Sequence, residues 1–263
     1  IKYMKKIIPT LFLCGLITAC HNGETENNVV KQSIQSSSAN NVKVGMLEVS
    51  PHLGTLDDNL TMLESYINFA ANNGAKIIVT PENSTTGYAI TKQQSINGIG
   101  IKYPYDKFNK IKNIAIKNNA YVIVGFAEIG EDNKSYDSAA IIEPSGSIKI
   151  IRKRGNSVYN DKGNLPFTII STPYGKIGVV ICSDTYLMDW VRILKLNGAD
   201  IVITPANWWG GDYQLNLWST RAKENGVSLI VSNRWGKEID TRYDPPYEYD
   251  MNDGNSAIFE LVC

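Results

Sequence analysis

Two short stretches of the chain are nearly the same, and this likeness constrains the fold more than any other feature of the sequence. Residues 73–83 read NGAKIIVTPEN and residues 197–207 read NGADIVITPAN. In both, a glycine typical of a helix C-terminus precedes a buried-strand pattern and a proline that ends it. Ordinary α/β patterning is one explanation. The stronger interpretation is two similar halves, each with a sheet and a helical layer, packed sheet against sheet.

The chain from residue 42 onward alternates strand-like and helix-like segments. Short β-branched runs predict strands, and apolar residues at the helical period predict helices between them. This alternation is typical of an α/β fold in which helices cover the faces of the sheets. The predicted strands are 42–49, 76–80, 121–129, 139–143, 147–152, 169–171, 176–181, 200–204, 228–232 and 256–261, and the predicted helices are 56–73, 107–118, 187–196 and 214–224.

Composition removes several classes of function. The 26 basic and 26 acidic residues balance, and no basic run is present, so the chain lacks the charge of a nucleic-acid-binding protein. A hydrophobic content of 43% is sufficient for a core and argues against general disorder. With two histidines and no Cys/His spacing we expect no metal site, and without a glycine-rich phosphate motif we expect no cofactor.

The first 20 residues have the pattern of a secretion signal. Lys5 and Lys6 precede an apolar stretch over residues 7–17, which is shorter than the about 20 residues that a membrane-spanning helix needs. The following LITAC sequence resembles the bacterial lipobox, in which the cysteine carries the lipid. We expect Cys20 to anchor an exported protein at the cell envelope, facing the periplasm or the cell surface. A plain signal peptide with an incidental cysteine is the alternative.

The chain divides into three parts on this basis. Residues 1–20 are the predicted signal peptide, residues 21–41 a flexible tether, and residues 42–263 one folded domain. The tether is rich in Asn, Ser, Gln and Glu and has few large apolar residues, so it cannot offset the entropy lost on ordering. Cys182 and Cys263 are the cysteines left in the domain, and no disulfide framework is implied.

Reactive side chains follow three of the predicted strands. Glu82, Lys153 and Cys182 each stand just beyond a strand, where loops of α/β sheets collect functional groups. Each alone is more often a solvated side chain or a small buried residue. Within the internal repeat, however, Glu82 is matched by Ala206. A carboxylate at the strand exit of one half is better explained by chemistry than by architecture.

These residues and their surroundings resemble the nitrilase, or carbon–nitrogen hydrolase, superfamily from residue 42 to the C-terminus. The resemblance implies an αββα sandwich, a catalytic triad of Glu82, Lys153 and Cys182, and hydrolysis of a non-peptide carbon–nitrogen bond. The matching stretches are VGM at 44–46, TPEN at 80–83, RK at 152–153, GKIGVVICSD at 175–184, RAKEN at 221–225 and SNR at 232–234.

The residue types suit those roles. We expect the Cys182 thiolate to be stabilised by Lys153 and by the N-terminus of the helix that follows it. Glu82 can take the thiol proton and later pass it to the departing amine. Charged Lys153 and the backbone N–H of Ser183 can donate to the oxyanion of the tetrahedral intermediate. Together these steps form a thioester that water then cleaves, with Glu82 activating the water.

The sequence departs from the family pattern near Lys153 and at the C-terminus. Asp161 is the candidate for a second carboxylate near Lys153, but its neighbours match the family loop poorly. The chain ends soon after strand 256–261, where relatives usually continue, which predicts a truncated C-terminus and an exposed sheet edge.

Aromatic residues beside the three strand exits are candidates for the walls of a substrate pocket. These residues either line a cleft or fill the core and a subunit contact. Trp218 has the helical spacing of a core residue. The pocket candidates are Tyr88, Tyr186, Asn207 and Trp208, with Trp209 beside them.

The sequence therefore predicts a lipid-anchored, thiol-dependent amidohydrolase acting on a small linear amide and releasing ammonia or an amine. An acyltransferase that passes the thioester to an amine is one alternative. A non-catalytic ligand-binding lipoprotein is another, against which the intact Glu82, Lys153 and Cys182 argue. We expect a homodimer through the helix at 187–196, because relatives commonly pair near the nucleophile. The expected partners are thus a small amide, a membrane through the lipid and a second copy of the chain, but no nucleic acid.

Overall fold

The computed structural model describes residues 12–17, for their backbone, and residues 42–155, 160–209, 211–251 and 254–260. Cys20, the tether at 21–41 and Cys263 lie outside these ranges, so the signal peptide, the lipid and the early C-terminus stay predictions. Residues 12–17, inside the predicted signal peptide, form a strand antiparallel to the first strand of the domain. Cleavage of a signal peptide would remove residues 12–17 and leave the strand at Val42–Leu47 as the edge of its sheet.

The helices and strands alternate as the sequence predicts. The strands are β1 Phe12–Ile17, β2 Val42–Leu47, β3 Ile77–Val79, β4 Ile101–Lys102, β5 Tyr121–Ile129, β6 Ser135–Ile142, β7 Ile148–Arg152, β8 Ile169–Thr172, β9 Gly175–Val179, β10 Ile201–Ala206, β11 Ser228–Asn233, β12 Gly236–Asp240, β13 Tyr247–Met251 and β14 Ala257–Phe259. The α-helices are α1 Leu56–Asn72, α2 Lys92–Gln94, α3 Asn109–Asn118, α4 Met188–Leu196 and α5 Asp212–Asn225. A π-helical turn covers Ser95–Ile99, and 3₁₀ turns cover Asp106–Phe108 and Cys182–Tyr186.

Two sheets and a hairpin are built from these strands. The first sheet has the order β1-β2-β3-β5-β6-β7, with β4 beside β5, and the second has the order β14-β11-β10-β9-β8. Strands β2, β3 and β5 are parallel in the first sheet, as are β9, β10 and β11 in the second. Strands β12 and β13 form a separate antiparallel pair. Each half thus has a parallel centre, which requires helical crossover connections.

The side chains of β3 show how the layers stack. Ile77 and Val79 pack into a cluster that also contains Ile177 and Ile203 of the second sheet. Ile78, between them, packs instead into a cluster with Leu63 of α1. Successive side chains of a strand point to opposite faces, so one face of this sheet meets the other sheet and the opposite face meets helices. The predicted αββα sandwich is confirmed.

The helices form because their apolar residues recur on one face. Leu60, Leu63 and Ile67 of α1 are buried against the first sheet. Val191 and Leu194 of α4 and Trp218 of α5 are buried against the second. Trp218 is fully buried, as a core residue should be. No helix within the described residues has both the length and the apolar character needed to cross a membrane.

The structure differs from the sequence prediction at the exit of β10 and in a hairpin near the C-terminus. Pro205 does not end its strand: β10 continues to Ala206 because β11 pairs with it as far as Asn233. In the other copy of the repeat, β3 ends at Val79, before Pro81. The hairpin of β12 and β13 has no counterpart among the predicted strands. Its polar, tyrosine-rich sequence lacks the β-branched run on which strand prediction depends.

Candidate active site

The structure brings the three predicted reactive residues together in one buried cluster. Glu82 follows β3, Lys153 follows β7, and Cys182 follows β9. Their exposed fractions are 1%, 7% and 5%. The Lys153 ammonium donates to Glu82 Oε1 and, at 3.0 Å, to Oδ2 of a second acidic residue, Asp137. The exits of three strands therefore place a carboxylate, an ammonium and a thiol around one point, and β6 adds the second carboxylate.

Glu82 reaches this point because a glycine lets its turn lie against β5. A Cβ built at Gly125 would stand 2.1 Å from the Pro81 carbonyl oxygen and 2.8 Å from the Glu82 Cα, so any side chain there would displace the turn. The Gly125 N–H donates to Thr80 Oγ1 at 3.0 Å, and the Ser84 N–H donates to the Gly125 carbonyl at 2.9 Å. These bonds hold Glu82 at a set distance from the sheet.

Backbone strain accompanies both the acid and the thiol. Asn83, directly after Glu82, has a φ of 48°, and Cys182 has a φ of 43°. Residues other than glycine seldom adopt these left-handed conformations, which cost on the order of 1 kcal/mol each. Such strain concentrates where a side chain must be presented in one direction. Cys182 is the first residue of a 3₁₀ turn, and α4 begins only at Met188.

Asp184 connects the cysteine turn to the lysine loop, a role that the sequence analysis missed. Its carboxylate accepts hydrogen bonds from the backbone N–H groups of Arg154 at 3.0 Å, Gly155 at 2.7 Å and Ile181 at 3.2 Å. Burial raises the pKa of this carboxyl against the lowering effects of Lys153 and the three N–H groups. An aspartate two positions after the cysteine, at the start of a helical turn, was the available signal.

The second carboxylate beside Lys153 is Asp137 and not Asp161. Asp137 lies on β6 and is buried, and its Oδ1 has no hydrogen-bond partner among the described residues. Asp161 is not brought into the cluster, because its carboxylate binds the Lys92 ammonium at 2.9 Å and the Ser135 N–H at 3.2 Å. Asp137 is the acidic residue within the β6 sequence SYDSAAII, which was a weak signal.

The electrostatics of the cluster correct the expectation of a resting thiolate. Burial raises the pKa of the Cys182 thiol well above its ordinary value, and the charge of Glu82 adds to this, while Lys153 opposes it. Burial also raises the pKa of Glu82, with Lys153 opposing and Asp137 reinforcing the shift. For Lys153 burial acts to lower the pKa, but Asp137 and Glu82 outweigh it and raise the pKa. These effects favour the neutral thiol of Cys182, so attack by its sulfur needs a base.

The second copy of the repeat closes the cluster from the opposite side. The Glu82 N–H donates to the Ala206 carbonyl at 3.3 Å, and the Cys182 sulfur lies 3.9 Å from the Asn207 carbonyl oxygen. The Asn207 side-chain amide is buried and has no partner among the described residues. The exit of β10 thus supplies backbone carbonyls and an unpaired amide, where the exit of β3 supplies a carboxylate.

The aromatic candidates differ in how deeply they are buried. Tyr186 and Trp208 have ring centroids 4.6 Å apart, with Trp208 buried and Tyr186 exposed. Asn233 holds the Trp208 backbone through two hydrogen bonds, of 2.8 Å and 2.9 Å. Tyr88 is mostly buried, and burial raises the pKa of its phenol, with the charge of Glu82 adding to the shift.

One further group, the backbone N–H of Ser183, bears on the chemistry of the site. Ser183 follows Cys182 in the same 3₁₀ turn and is partly exposed. Its backbone N–H as an oxyanion donor stays a prediction. Within the described residues no group of three or more His, Cys, Asp or Glu side chains is arranged to hold a metal ion.

Comparisons with known proteins point to one family. A protein-family model described as "Carbon-nitrogen hydrolase" matches residues 43–258. A nitrilase from Pyrococcus abyssi is 31% identical over 203 residues, which cover 75% of this chain and 76% of that protein. A citrullinase from Francisella tularensis is 29% identical over 218 residues, covering 75% and 76%. A solved mutant of an amidase from Nesterenkonia sp. AN1 is 17% identical, with a TM-score of 0.68, over 82% of this chain and 81% of that one.

Proposed function

The chain belongs to the carbon–nitrogen hydrolase family, and from this premise we propose that it hydrolyses a small linear amide through a thioester on Cys182 and releases ammonia or an amine. Its relatives are hydrolases that act on carbon–nitrogen bonds. The observation that carries the proposal is the single buried cluster of Glu82, Lys153 and Cys182. That cluster contains a nucleophile, a base and a cation, which acyl transfer to a thiol requires.

The first half-reaction begins with a proton transfer. Because the pKa of the Cys182 thiol is raised, Glu82 takes its proton as the sulfur attacks the amide carbon. The carbonyl oxygen gains the negative charge, and Lys153 with the Ser183 N–H donates to it. The carbon–nitrogen bond then breaks, and the proton on Glu82 passes to the departing nitrogen. The products of this step are a Cys182 thioester and ammonia or an amine.

The second half-reaction uses the same groups with water. Glu82 removes a proton from a water molecule as its oxygen attacks the thioester carbon. The carbon–sulfur bond breaks, the carboxylic acid leaves, and the proton returns to the Cys182 sulfur. Support for a covalent step on cysteine comes from the solved amidase mutant, whose structure shows the acetamide moiety of fluoroacetamide added at its active-site cysteine.

A direct test measures the release of ammonia from a linear amide. Purified protein is incubated with hexanamide, and ammonia is measured for the wild type, Cys182→Ala and Glu82→Gln. We expect turnover only in the wild type, with both variants folded by circular dichroism. Turnover that persists in folded Cys182→Ala would remove the thioester from the mechanism.

Added hydroxylamine separates hydrolysis from acyl transfer. A hydrolase continues to form the free acid in competition with the hydroxamate, whereas an acyltransferase forms the hydroxamate and no free acid. Ligand binding without turnover of any linear amide would instead support the non-catalytic lipoprotein.

We also propose that the protein is exported, anchored to the cell envelope through a lipid on Cys20, and dimeric through the surface around α4. Leu187, Met188 and Leu196 are exposed apolar side chains on that surface, which supports a contact between copies. Mass spectrometry of the protein expressed from its full gene tests the lipid. Light scattering of the domain from His21 onward, with Leu187→Asp and Leu196→Asp as the disrupting variants, tests the dimer.

A further inference from the structure

A cleft of about 450 Å³ lies beside the candidate active site and is lined mostly by aromatic rings. We name it the aromatic cleft. It is formed by the rim of the β12–β13 hairpin together with residues from the exits of β3 and β10. Its lining residues are Tyr88, Trp209, Tyr243, Asp244, Pro245, Tyr247 and Tyr249.

The walls of the aromatic cleft are held in place by ring contacts and by a buried carboxylate. The Tyr249 ring lies 4.5 Å from Trp209, 4.9 Å from Tyr247 and 5.8 Å from Tyr88, measured between centroids. Glu238 of β12 accepts hydrogen bonds from the Tyr88 N–H at 3.0 Å and from the Ala89 N–H at 2.6 Å. The cleft is therefore a preformed site, because its rings pack on one another and its hairpin is bonded to the Tyr88 segment.

One end of the aromatic cleft adjoins the reactive groups. Tyr88 is close enough to the cluster for the charges of Glu82, Lys153 and Cys182 to act on its phenol. Trp209 stands two residues after Asn207, whose carbonyl oxygen lies 3.9 Å from the Cys182 sulfur. A substrate with its amide at Cys182 would extend its remaining groups toward these rings.

The charges around the aromatic cleft favour a cation. Arg242 lies 5.6 Å from the centroid of the Tyr88 ring, but its guanidinium is bound by both oxygens of Asp240, at 2.8 Å and 2.7 Å. That pair leaves no net charge. Asp244 lines the cleft, is exposed, and has no ion-pair partner among the described residues. The remaining charge on the cleft is therefore negative.

We propose that the aromatic cleft binds an organic cation, an alkylammonium group at the end of the substrate opposite the scissile amide. Aromatic faces attract ammonium groups through their quadrupoles, and a nearby carboxylate adds Coulombic attraction. An acidic substrate would meet Asp244 and the electron-rich ring faces and would bind poorly. This proposal rests on the proposed function, because it identifies the class of amide that reaches Cys182.

Three amides of equal length test the charge preference. They are 5-aminopentanamide with a terminal ammonium, hexanamide with a methyl group in its place, and adipamic acid with a carboxylate. We expect kcat/KM to be about tenfold higher for the cation than for hexanamide, and lowest for the anion. Equal or faster turnover of hexanamide would overturn the proposal while leaving the hydrolase function intact.

A matched pair of variants assigns the preference to the cleft. Asp244→Asn removes the unpaired charge and should bring the cation-to-neutral ratio several-fold closer to one. Glu248→Gln removes the same charge from the same hairpin, but Glu248 binds Lys237 at 2.8 Å and does not line the cleft. We expect Glu248→Gln to retain the wild-type ratio. An equal change in both variants would indicate a general effect of net charge and would contradict the proposal.

A binding measurement separates failure of this inference from failure of the proposed function. Pentylammonium chloride is titrated into the full-length protein by calorimetry at constant ionic strength, with pentan-1-ol as the neutral probe. We expect the ammonium to bind more tightly than the alcohol, and Asp244→Asn to weaken only the ammonium. Binding of this kind without turnover of any amide would contradict the proposed hydrolase function and support cation binding in the aromatic cleft. Absence of a preference for the ammonium would contradict cation binding in the aromatic cleft.

Discussion

The exits of β3 and β10 have nearly the same sequence, TPEN and TPAN, and nevertheless adopt different structures. After β3 the chain turns beyond Thr80, with Asn83 in a left-handed conformation. After the equivalent point β10 continues as a strand through Pro205 to Ala206, paired with Ser232 and Asn233 of β11. The first exit presents a carboxylate, and the second presents the Ala206 carbonyl to the Glu82 N–H.

This difference shows that the neighbouring strand decides the shape of an exit. Extending the register of β3 and β5 would bring Pro81 opposite Gly125, and in the second half Pro205 lies opposite Ser232. The glycine leaves space for a turn that approaches the sheet, since a Cβ there would overlap the Pro81 carbonyl. Ser232 has a side chain, and its hydroxyl donates to the Leu47 carbonyl at 3.1 Å. One copy of the repeat is thus free to bend and the other stays straight.

The largest effect is expected when Glu82, at the exit of β3, is replaced by alanine, the residue at the equivalent position of β10. Glu82→Ala removes the base from the cluster while the thiol keeps its raised pKa, so we expect kcat for amide hydrolysis to fall by about 10³-fold or more. Thermal unfolding should remain cooperative, because Lys153 keeps Asp137 as a partner. A folded Glu82→Ala variant with kcat within tenfold of the wild type would show that another group acts as the base.

Exchange of the two facing residues should affect stability unequally. Gly125→Ser places atoms within the Pro81 turn and should lower the free energy of unfolding by about 3 kcal/mol, with loss of activity. Ser232→Gly loses one hydrogen bond and adds chain entropy to the unfolded state, which together cost about 1.5 kcal/mol. Urea unfolding measures both values. Equal losses would mean that the turn at Glu82 does not depend on Gly125.

The two threonines that precede the prolines provide a finer comparison. Thr80 Oγ1 accepts the Gly125 N–H and contacts Ser84 Oγ at 2.7 Å, whereas the buried Thr204 hydroxyl has no partner among the described residues. Thr80→Val leaves a buried N–H unsatisfied and should cost about 2 kcal/mol of unfolding free energy. Thr204→Val removes an unpaired hydroxyl and should change stability by less than about 0.5 kcal/mol in either direction. A cost for Thr204→Val that matches Thr80→Val would contradict this account.

The smallest effect concerns Asp137, the second carboxylate beside Lys153, which has no counterpart among the described residues at the exit of β10. Burial raises the pKa of Glu82 and the charge of Asp137 adds to this shift, so Glu82 binds a proton, and loses its role as a base, at a pH above the usual carboxylate range. In Asp137→Asn this contribution is absent and the pKa of Glu82 should fall. The acid limb of the kcat profile should therefore move to lower pH. A profile recorded from pH 4 to 10 for both proteins measures the shift, and an unchanged or higher acid limb would exclude this effect of Asp137.

Much of the arrangement could be predicted from local patterns. The repeat, the alternation of strands and helices, and the positions of Glu82, Lys153 and Cys182 after strands follow from short-range periodicity and from the rule that strand exits gather at one edge. The prediction of a thiolate at Cys182 failed because it considered the nearby cation and helix but not the burial of the sulfur. Desolvation is a property of the whole environment, and no neighbouring residue in the sequence reports it.

Other parts of the site depended on contacts between distant segments. Asp137 replaced Asp161 as the partner of Lys153 because β6 and β7 pair side by side, which places the end of β7 next to Asp137. Glu238 reaches Tyr88 only because the hairpin of β12 and β13 folds over the exit of β3. An acidic residue within β6 marks Asp137 as unusual but does not identify Lys153 as its partner, and the polar hairpin has no local signal because such hairpins are common on protein surfaces.

The sequence by itself determined the layered α/β architecture and the chemical identity of the reactive groups, because hydrophobic periodicity and residue type can be read from short stretches of the chain. Only the tertiary structure decided which carboxylate joins Lys153, whether the thiol is charged, which copy of the repeat bends, and where an aromatic cleft opens. These outcomes depend on distance, burial and strand register between segments far apart in the chain. Electrostatic and packing energies depend on these distances and on burial, which are set only when the two sheets pack together.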